Sequence, residues 1–375
     1  DHAQAEKLLP APAKKAVADM RTELDKVRKD APPMYPIIHA LAEGDVGDMP
    51  VYVRGNVHKE GPIVPRHFLR VLAGDIPPRF TKGSGRLELA RAIASPDNPL
   101  TARVIVNRVW QYHFGRGIVP TPNNFGLRGE APSHPELLDH LTAEFVRHGW
   151  SIKWLHRHIM QSKTYQLGSA PSPELLAKDP GNVWLGRFSR HRLDAEALRD
   201  ALLAVSGKLD TKRPGPHPFP PITTWGWTQH NPFKDIYPSN HRSVYLMTQR
   251  FQKHPFLALF DGPDTNASTE KRTSSLLPGQ ALFLMNHPFV REQAEGLARR
   301  LMAHDKEASR RIAWAHHLAW SRPATEEEIG KGVDYVRRYS EGLRGAGTPG
   351  DQVELEAWLS FSRVMLTANE FVMID

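Results

Sequence analysis

The sequence predicts a mainly α-helical protein: a multi-helix, bundle-like body with a minor β element and a long proline-rich loop. Three observations carry this. Most segments beyond Pro99 repeat apolar residues every three or four positions and begin and end on capping residues. Extended, β-branched runs are few, the clearest lying near residues 50–56 and 243–249. Residues 211–242 hold seven prolines, which a helix interior or a central strand does not tolerate.

In chain order, AKKAVADMRTELDKVRKD spaces Ala13, Val17, Met20, Leu24 and Val27 along one seam, as an amphipathic helix does, and Ala31-Pro32-Pro33 ends it. An isolated helix of this length is marginal in water, so the seam is expected to pack on a neighbouring domain. MPVYVRGN then predicts a strand running into a turn, and GPIVPRHFLRVL a short extended piece. The first of the later helices is NPLTARVIVNRVWQYHFG, with Asn98 as N-cap, Pro99 at its first position and Gly115 closing it. SHPELLDHLTAEFVRHG, SIKWLHRHIMQSKTY and LDAEALRDALLAVSG follow as three more helices. After the proline-rich loop SVYLMTQ predicts a strand. Helices resume with LPGQALFLMN and PFVREQAEGLARRLMAH and run through ASRRIAWAHHLAW and TEEEIGKGVDYVRRYSEGL to VELEAWLSFSRVMLTANEF. The helices from 99 to 206 are expected to pack with those from 278 to 375, and no repeat of fixed period is present.

Composition narrows the function classes. Lys and Arg outnumber Asp and Glu by 49 to 41, and the resulting +8 favours acidic partners, but no run of like charges concentrates it. Nucleic-acid binding would rest on the isoelectric point alone and is not expected. Cysteine is absent, which excludes disulfides, thiolate metal sites, a cysteine nucleophile and covalent haem attachment within this chain. No stretch approaches the roughly 18 apolar residues of a membrane span. A chain opening on Asp1 without an apolar leader reads as a soluble fragment of something longer. Gly-rich phosphate loops and a Gly-x-Ser-x-Gly elbow are also missing.

NPLTARVIVNRVWQYHFGRGIVPTPNNFGLRGEAPSHPELLDHL, followed by HGWSIKWLHRHIMQSKTYQ, resembles a C-terminal domain of unknown function found in large planctomycete proteins. Those proteins also carry a cytochrome-c-like haem domain and a second uncharacterised domain. The resemblance continues through RLDAEALRDALLAVSGKLD, RSVYLMTQR, LALFDGPD and KRTSSLLPGQALFLMN to ANEFVMID, about residues 85–375. It implies that residues 1–33 are the tail helix of a preceding domain, 34–84 an extended linker with short strands, and 85–375 a helical domain containing the 211–242 loop. It further implies an exported module, periplasmic or extracellular, that acts in binding or in positioning a redox partner. The other domains of the same polypeptide are its expected partners. Any haem lies in another domain, and no cofactor is expected here. Asn124 stands where the family has Asp, and His140 where it has Trp, which weakens any site needing a carboxylate at 124.

The candidate site residues gather around residues 121–141. Asn123, Asn124, Gly126 and Gly129 suit a tight turn, and Ser133 with Glu136 has capping-box spacing, so a plain connector accounts for them. A functional loop instead brings His134, Asp139 and Arg128 together with Arg103, an imidazole and a carboxylate able to act as acid and base or to hold an anion. Arg103, Asn107 and Gln111 fall four apart on an otherwise apolar helix. They either brace the 121–130 turn or, through Arg103, grip an anionic group. Loop residues Trp225 and Trp227, with His230 and Tyr237, could stack on sugar rings or bases. Asp261-Gly262-Pro263-Asp264 with Lys271 and Arg272 is a charged turn beyond the expected strand. The pairs His156/His158 and His316/His317 lack the His-Glu-x-x-His pattern, and no metal site is expected. An enzyme or binding domain for extracellular glycans, acidic ones included, is the alternative function.

Overall fold

The computed structural model describes residues 8–31, 40–217, 220, 225–228 and 230–374. Pro32-Pro33, the start of the 34–84 linker and parts of the 211–242 loop lie outside them. The protein is mainly α, with 15 helices and two two-stranded sheets among the described residues. Its chain divides into two compact units, residues 1–93 and 94–375.

In the first unit helix α1 (Ala11–Asp30) forms as its periodicity predicts, and Met20, Leu24 and Val27 on its seam are exposed. Strands β1 (Met49–Tyr52) and β2 (Glu60–Val64) make an antiparallel hairpin around a 3-10 turn at Val53–Gly55. Helices α2 (Arg70–Ala73) and α3 (Arg86–Ile93) complete this unit. Asp48 gathers it electrostatically, accepting from Arg66 at 3.0 Å and from Arg79 at 2.8 Å.

The second unit has two apolar cores. One lies between α4 (Thr101–Phe114), α5 (Pro135–Arg147) and α6 (Ile152–Met160), with Val106, Phe114, Phe145, Leu155 and Ile159 buried. After the short α7 (Pro173–Lys178) and strand β3 (His191–Arg192), α8 (Ala195–Ser206) enters the second core. That core continues through α9 (Pro255–Leu259), α10 (Pro278–Asn286), α11 (Pro288–His304), α12 (Ala308–Trp320), α13 (Glu326–Gly345), α14 (Gly350–Thr367) and α15 (Asn369–Val372). Of the helices from 99 to 206, then, α8 packs with the C-terminal set, while α4 to α6 close their apolar faces on one another. Strand β4 (Met373–Ile374) returns to pair with β3, His191 opposite Ile374. Where α8 crosses α11, a Cβ on Gly296 would lie 2.9 Å from the Ser206 carbonyl oxygen, so only glycine permits that approach.

Four local expectations need correction. Residues 243–249 are not a strand: Ser243–Tyr245 is a 3-10 turn. Side chains of α8 take the groups a strand would offer a neighbour, since the Ser243 N–H and hydroxyl both donate to Asp200, at 2.8 and 2.6 Å. Arg199 meanwhile donates to the His241 carbonyl and the Ser243 hydroxyl oxygen. Asn98 does not cap α4 as its N-cap residue; it accepts from the Leu100 N–H in a turn one step earlier, and the helix starts at Thr101. Gly115 does close α4, left-handed at φ 75°. The 151–165 helix stops at Met160, and turns follow. Ser133 and Glu136 make no capping box, because α5 begins one residue later with His134 at its N-cap. The Ser133 N–H and hydroxyl go instead to the Ile118 carbonyl and shut the base of the 119–132 loop.

Candidate functional site

The residues singled out around 121–141 come together only in part. Arg103 and Asp139 meet, Nε to Oδ1 at 2.8 Å, with Arg103 also donating to the Pro99 carbonyl at 2.6 Å. His134 turns elsewhere, its Nδ1 2.9 Å from the Ser133 hydroxyl and its ring edge-on to Trp184. Arg128 is exposed in the loop. With side chains 33% and 59% exposed, the Arg103–Asp139 pair is solvent-screened, and Asp139→Asn is expected to change stability by under about 1 kcal/mol in a urea titration. A larger loss would show that this pair holds more of the structure than its exposure implies.

The stripe on α4 does not brace the 121–130 turn as expected. Asn107 holds both backbone groups of Val119, donating at 3.0 Å and accepting at 2.8 Å, while Gln111 reaches the Glu270 carbonyl. Arg108 touches the turn, at Asn123. The turn holds itself by Thr121, which donates to the Asn124 carbonyl and accepts from the Glu130 N–H, and by Asn124, which accepts from the Gly126 N–H. Its two ends do line a hollow, through Pro120 and Glu130 beside Gln111. Trp225 and Trp227 lie 5.2 Å apart between ring centres, and the aromatic run continues to Phe233 and Tyr237.

A more complete site forms where α8 begins. Asp194, Glu196 and Ala197 face the 243–249 segment, and Lys253, His254 and Leu257 at the start of α9, the 262–265 turn and Arg272 close a cleft of about 410 Å³. Local sequence builds each wall. Arg199 and Asp200 fasten residues 239–243 to α8. Gly262 is required because a Cβ there would sit 2.7 Å from the Leu257 carbonyl oxygen. Behind the 261–265 turn Arg192 donates to Asp261 at 2.6 Å, and Asp261 also accepts from the Ser275 N–H and hydroxyl. Thr265 donates to the Gln249 carbonyl and ties the turn to the opposite wall.

The cleft is rich in polar atoms with nothing to bond. Arg272 donates through Nη2 to Glu196 Oε1 at 2.9 Å, both side chains about a quarter exposed. Among the described residues seven buried side-chain polar atoms have no hydrogen-bond partner within the protein. Four of them, Glu196 Oε2, Arg272 Nη1, Gln249 Oε1 and His254 Nδ1, belong to residues of this cleft. Buried polar groups are ordinarily bonded, which sets these four atoms apart. Burial, and after it the positive charge of Arg199, holds the His254 pKa below its ordinary value, so the ring is neutral near pH 7 and can accept at one nitrogen and donate at the other. The Ser243 hydroxyl is taken up by Asp200 and Arg199. Among the described residues no three His, Asp or Glu side chains are grouped as metal ligands.

Residues 85–336 match the family model described as PSD1, protein of unknown function (DUF1553). The chain belongs to that family. No curated protein and no solved structure matches the chain. The DUF1553 match contains every residue of the cleft, while α14, which packs in the second core, lies beyond its end.

Sequence reasoning marked Arg272 and the 261–264 turn but passed over Glu196, Gln249 and His254. Glu196 sits in the first turn of α8, where a carboxylate is already explained by the helix dipole. His254 immediately precedes Pro255, where it reads as a simple helix start. The available signal was the density of polar residues in MTQR and KRTSS, on either side of the 261–264 turn.

Proposed function

We propose that the chain is a ligand-binding module of an exported multi-domain protein and that the cleft at the start of α8 holds its ligand. The observation that carries this reading is the set of four polar atoms without a hydrogen-bond partner in one cleft, two acceptors, one charged donor and one imidazole nitrogen. Leaving a buried polar atom unbonded costs about 1–3 kcal/mol, so a ligand that meets several of them recovers a useful share of its binding free energy. The resemblance to domains that accompany a cytochrome-c-like haem domain supports the exported setting, with other domains of the same polypeptide as neighbours. In that setting the module presents its ligand, or a site for an acidic redox protein, outside the cytoplasm.

Thermal-shift measurements against monosaccharides, amino acids and dicarboxylates test the cleft, because a ligand bound only by the folded state raises the melting temperature. At least one class is expected to stabilise the wild-type protein and to lose its effect in Arg272→Ala and in Glu196→Gln. Stabilisation of equal size in the wild type and both variants would place the ligand elsewhere.

A further inference from the structure

We propose that the ligand of this cleft is an acidic saccharide chain, one sugar unit seated against Glu196, Arg272 and Gln249 and a neighbouring unit presenting a carboxylate or sulfate to Lys271. This rests on the reading of the cleft as a ligand site.

The first part follows from the bonding left open. The Arg272–Glu196 pair is made through one atom of each, which leaves one donor, Nη1, and one acceptor, Oε2, on adjoining side chains, with Gln249 Oε1 and His254 Nδ1 in the same cleft. A hydroxyl both donates and accepts, so neighbouring hydroxyls of a sugar ring can satisfy a mixed set of this kind, whichever tautomer His254 adopts. A peptide backbone offers one N–H and one C=O per residue in fixed alternation and fits the set less well. The apolar part of the lining, Val244, Met247, Leu257 and Pro263, suits the C–H face of a ring. Gln249 also donates to the Asp235 carbonyl, which attaches the loop carrying the Trp225, Trp227, Phe233 and Tyr237 series to the cleft wall. Aromatic faces stack readily on sugars.

The second part follows from what adjoins the cleft. A hollow of about 230 Å³ shares Asp194, Ala197 and Arg272 with it and reaches Lys271. A third, of about 380 Å³, shares Gln111, Gly115 and Lys271 with the second and ends at Arg116 and Glu130. Three adjoining hollows suit a chain better than a single small molecule. Lys271 stands in both outer hollows and is the cation at their junction. Asp194 and Glu130 line the same row, one towards each end, and disfavour further negative charge beside them. Lys253 and Arg116 also line the row, so it suits a chain with an acidic unit at the Lys271 junction.

An array of oligosaccharides, each acidic member printed beside its methyl-ester or desulfated form, tests this with the full chain. Glucuronosyl-xylobiose and its methyl ester then serve for titration, since they differ by a single charge. The acidic forms are expected to bind about tenfold more tightly than their uncharged matches, the size of one charge-assisted bond. Lys271→Gln should erase that difference, whereas Lys331→Gln, on α13, should keep it. Equal binding of charged and uncharged forms, weakened alike by Glu196→Gln, overturns the acidic unit and leaves the cleft reading standing. Absence of saccharide binding, while a non-sugar ligand still stabilises the protein through Glu196 and Arg272, overturns the saccharide class alone. If nothing stabilises the protein through those two residues, both readings fall.

Discussion

Replacing Arg192 with leucine is expected to destabilise the protein by about 3–5 kcal/mol, the loss seen when one member of a buried ion pair is removed. The Arg192 side chain is 4% exposed and that of Asp261 16%. Its guanidinium donates to the Ser275 carbonyl at 2.6 Å, Gln280 at 2.9 Å, the Phe260 carbonyl at 3.1 Å and Asp261 at 2.6 Å. Leucine would fill part of the space but leave those acceptors short of a donor and the Asp261 charge without its counter-charge. Asp261 also has a left-handed backbone, φ 62°, which a non-glycine residue keeps only when its surroundings enforce it. The urea midpoint should fall and ligand binding in the cleft should weaken with it, because the 262–265 turn loses its support.

The deficit should depend on pH in a defined direction. Burial pushes the Asp261 pKa up, but the Ser275 N–H and the Arg192 guanidinium outweigh it and hold the carboxyl below its ordinary value. A carboxyl whose folded pKa is depressed contributes stability that is fully present above the unfolded pKa, about 3.9, and is lost as pH falls through the folded pKa. The gap between wild type and Arg192→Leu should thus be full at pH 7 and narrow below about pH 4. A deficit under about 1 kcal/mol, or one that stays constant into acid, would show that the pair is not the support described.

Asn107→Leu is expected to cost about 2–5 kcal/mol, from two buried backbone groups left unbonded at about 1–3 kcal/mol each. Asn107 has no exposed surface, and both of its amide atoms are spent on Val119, itself buried. Leucine keeps the branched shape but is bulkier and has neither donor nor acceptor, so the Val119 N–H and C=O would be stranded inside the first core. Amide exchange in residues 118–130 should quicken relative to α11, because Val119 is the point at which the loop joins the core. Unchanged exchange there would mean that Thr121 and Asn124 hold the loop without help. The contrast with Asp139→Asn, on α5 and solvent-screened, is one of burial more than of bond count.

Asn107 also shows where sequence reasoning stops. A polar residue on an apolar helix face announces a buried bond, and its presence was legible; that the bond goes to residue 119 and not to 121–130 was not. The same division runs through the molecule. Helices α4, α8 and α11 to α14 follow from periodicity and from caps such as Gly115 and Gly207, because each backbone bond joins residues four apart and the information is local. The β1 strand with its turn and the extended piece that holds β2 were legible for a similar reason, whereas their antiparallel pairing came from the structure. SVYLMTQ has the composition of a strand, but a strand exists only if another edge is available, and Arg199 and Asp200 occupy its backbone and hydroxyl groups first. The start of α5 moved by one residue because the Ser133 N–H and hydroxyl found the Ile118 carbonyl. The cleft is the extreme case: Arg272 bonds Glu196 across 76 residues of chain, and Arg192 bonds Asp261 across 69. The sequence by itself determined the helical class, most of the helices and the family. Only the tertiary structure decided which polar atoms are buried without partners, because that depends on which distant segments arrive beside them and on which of their bonds are already made.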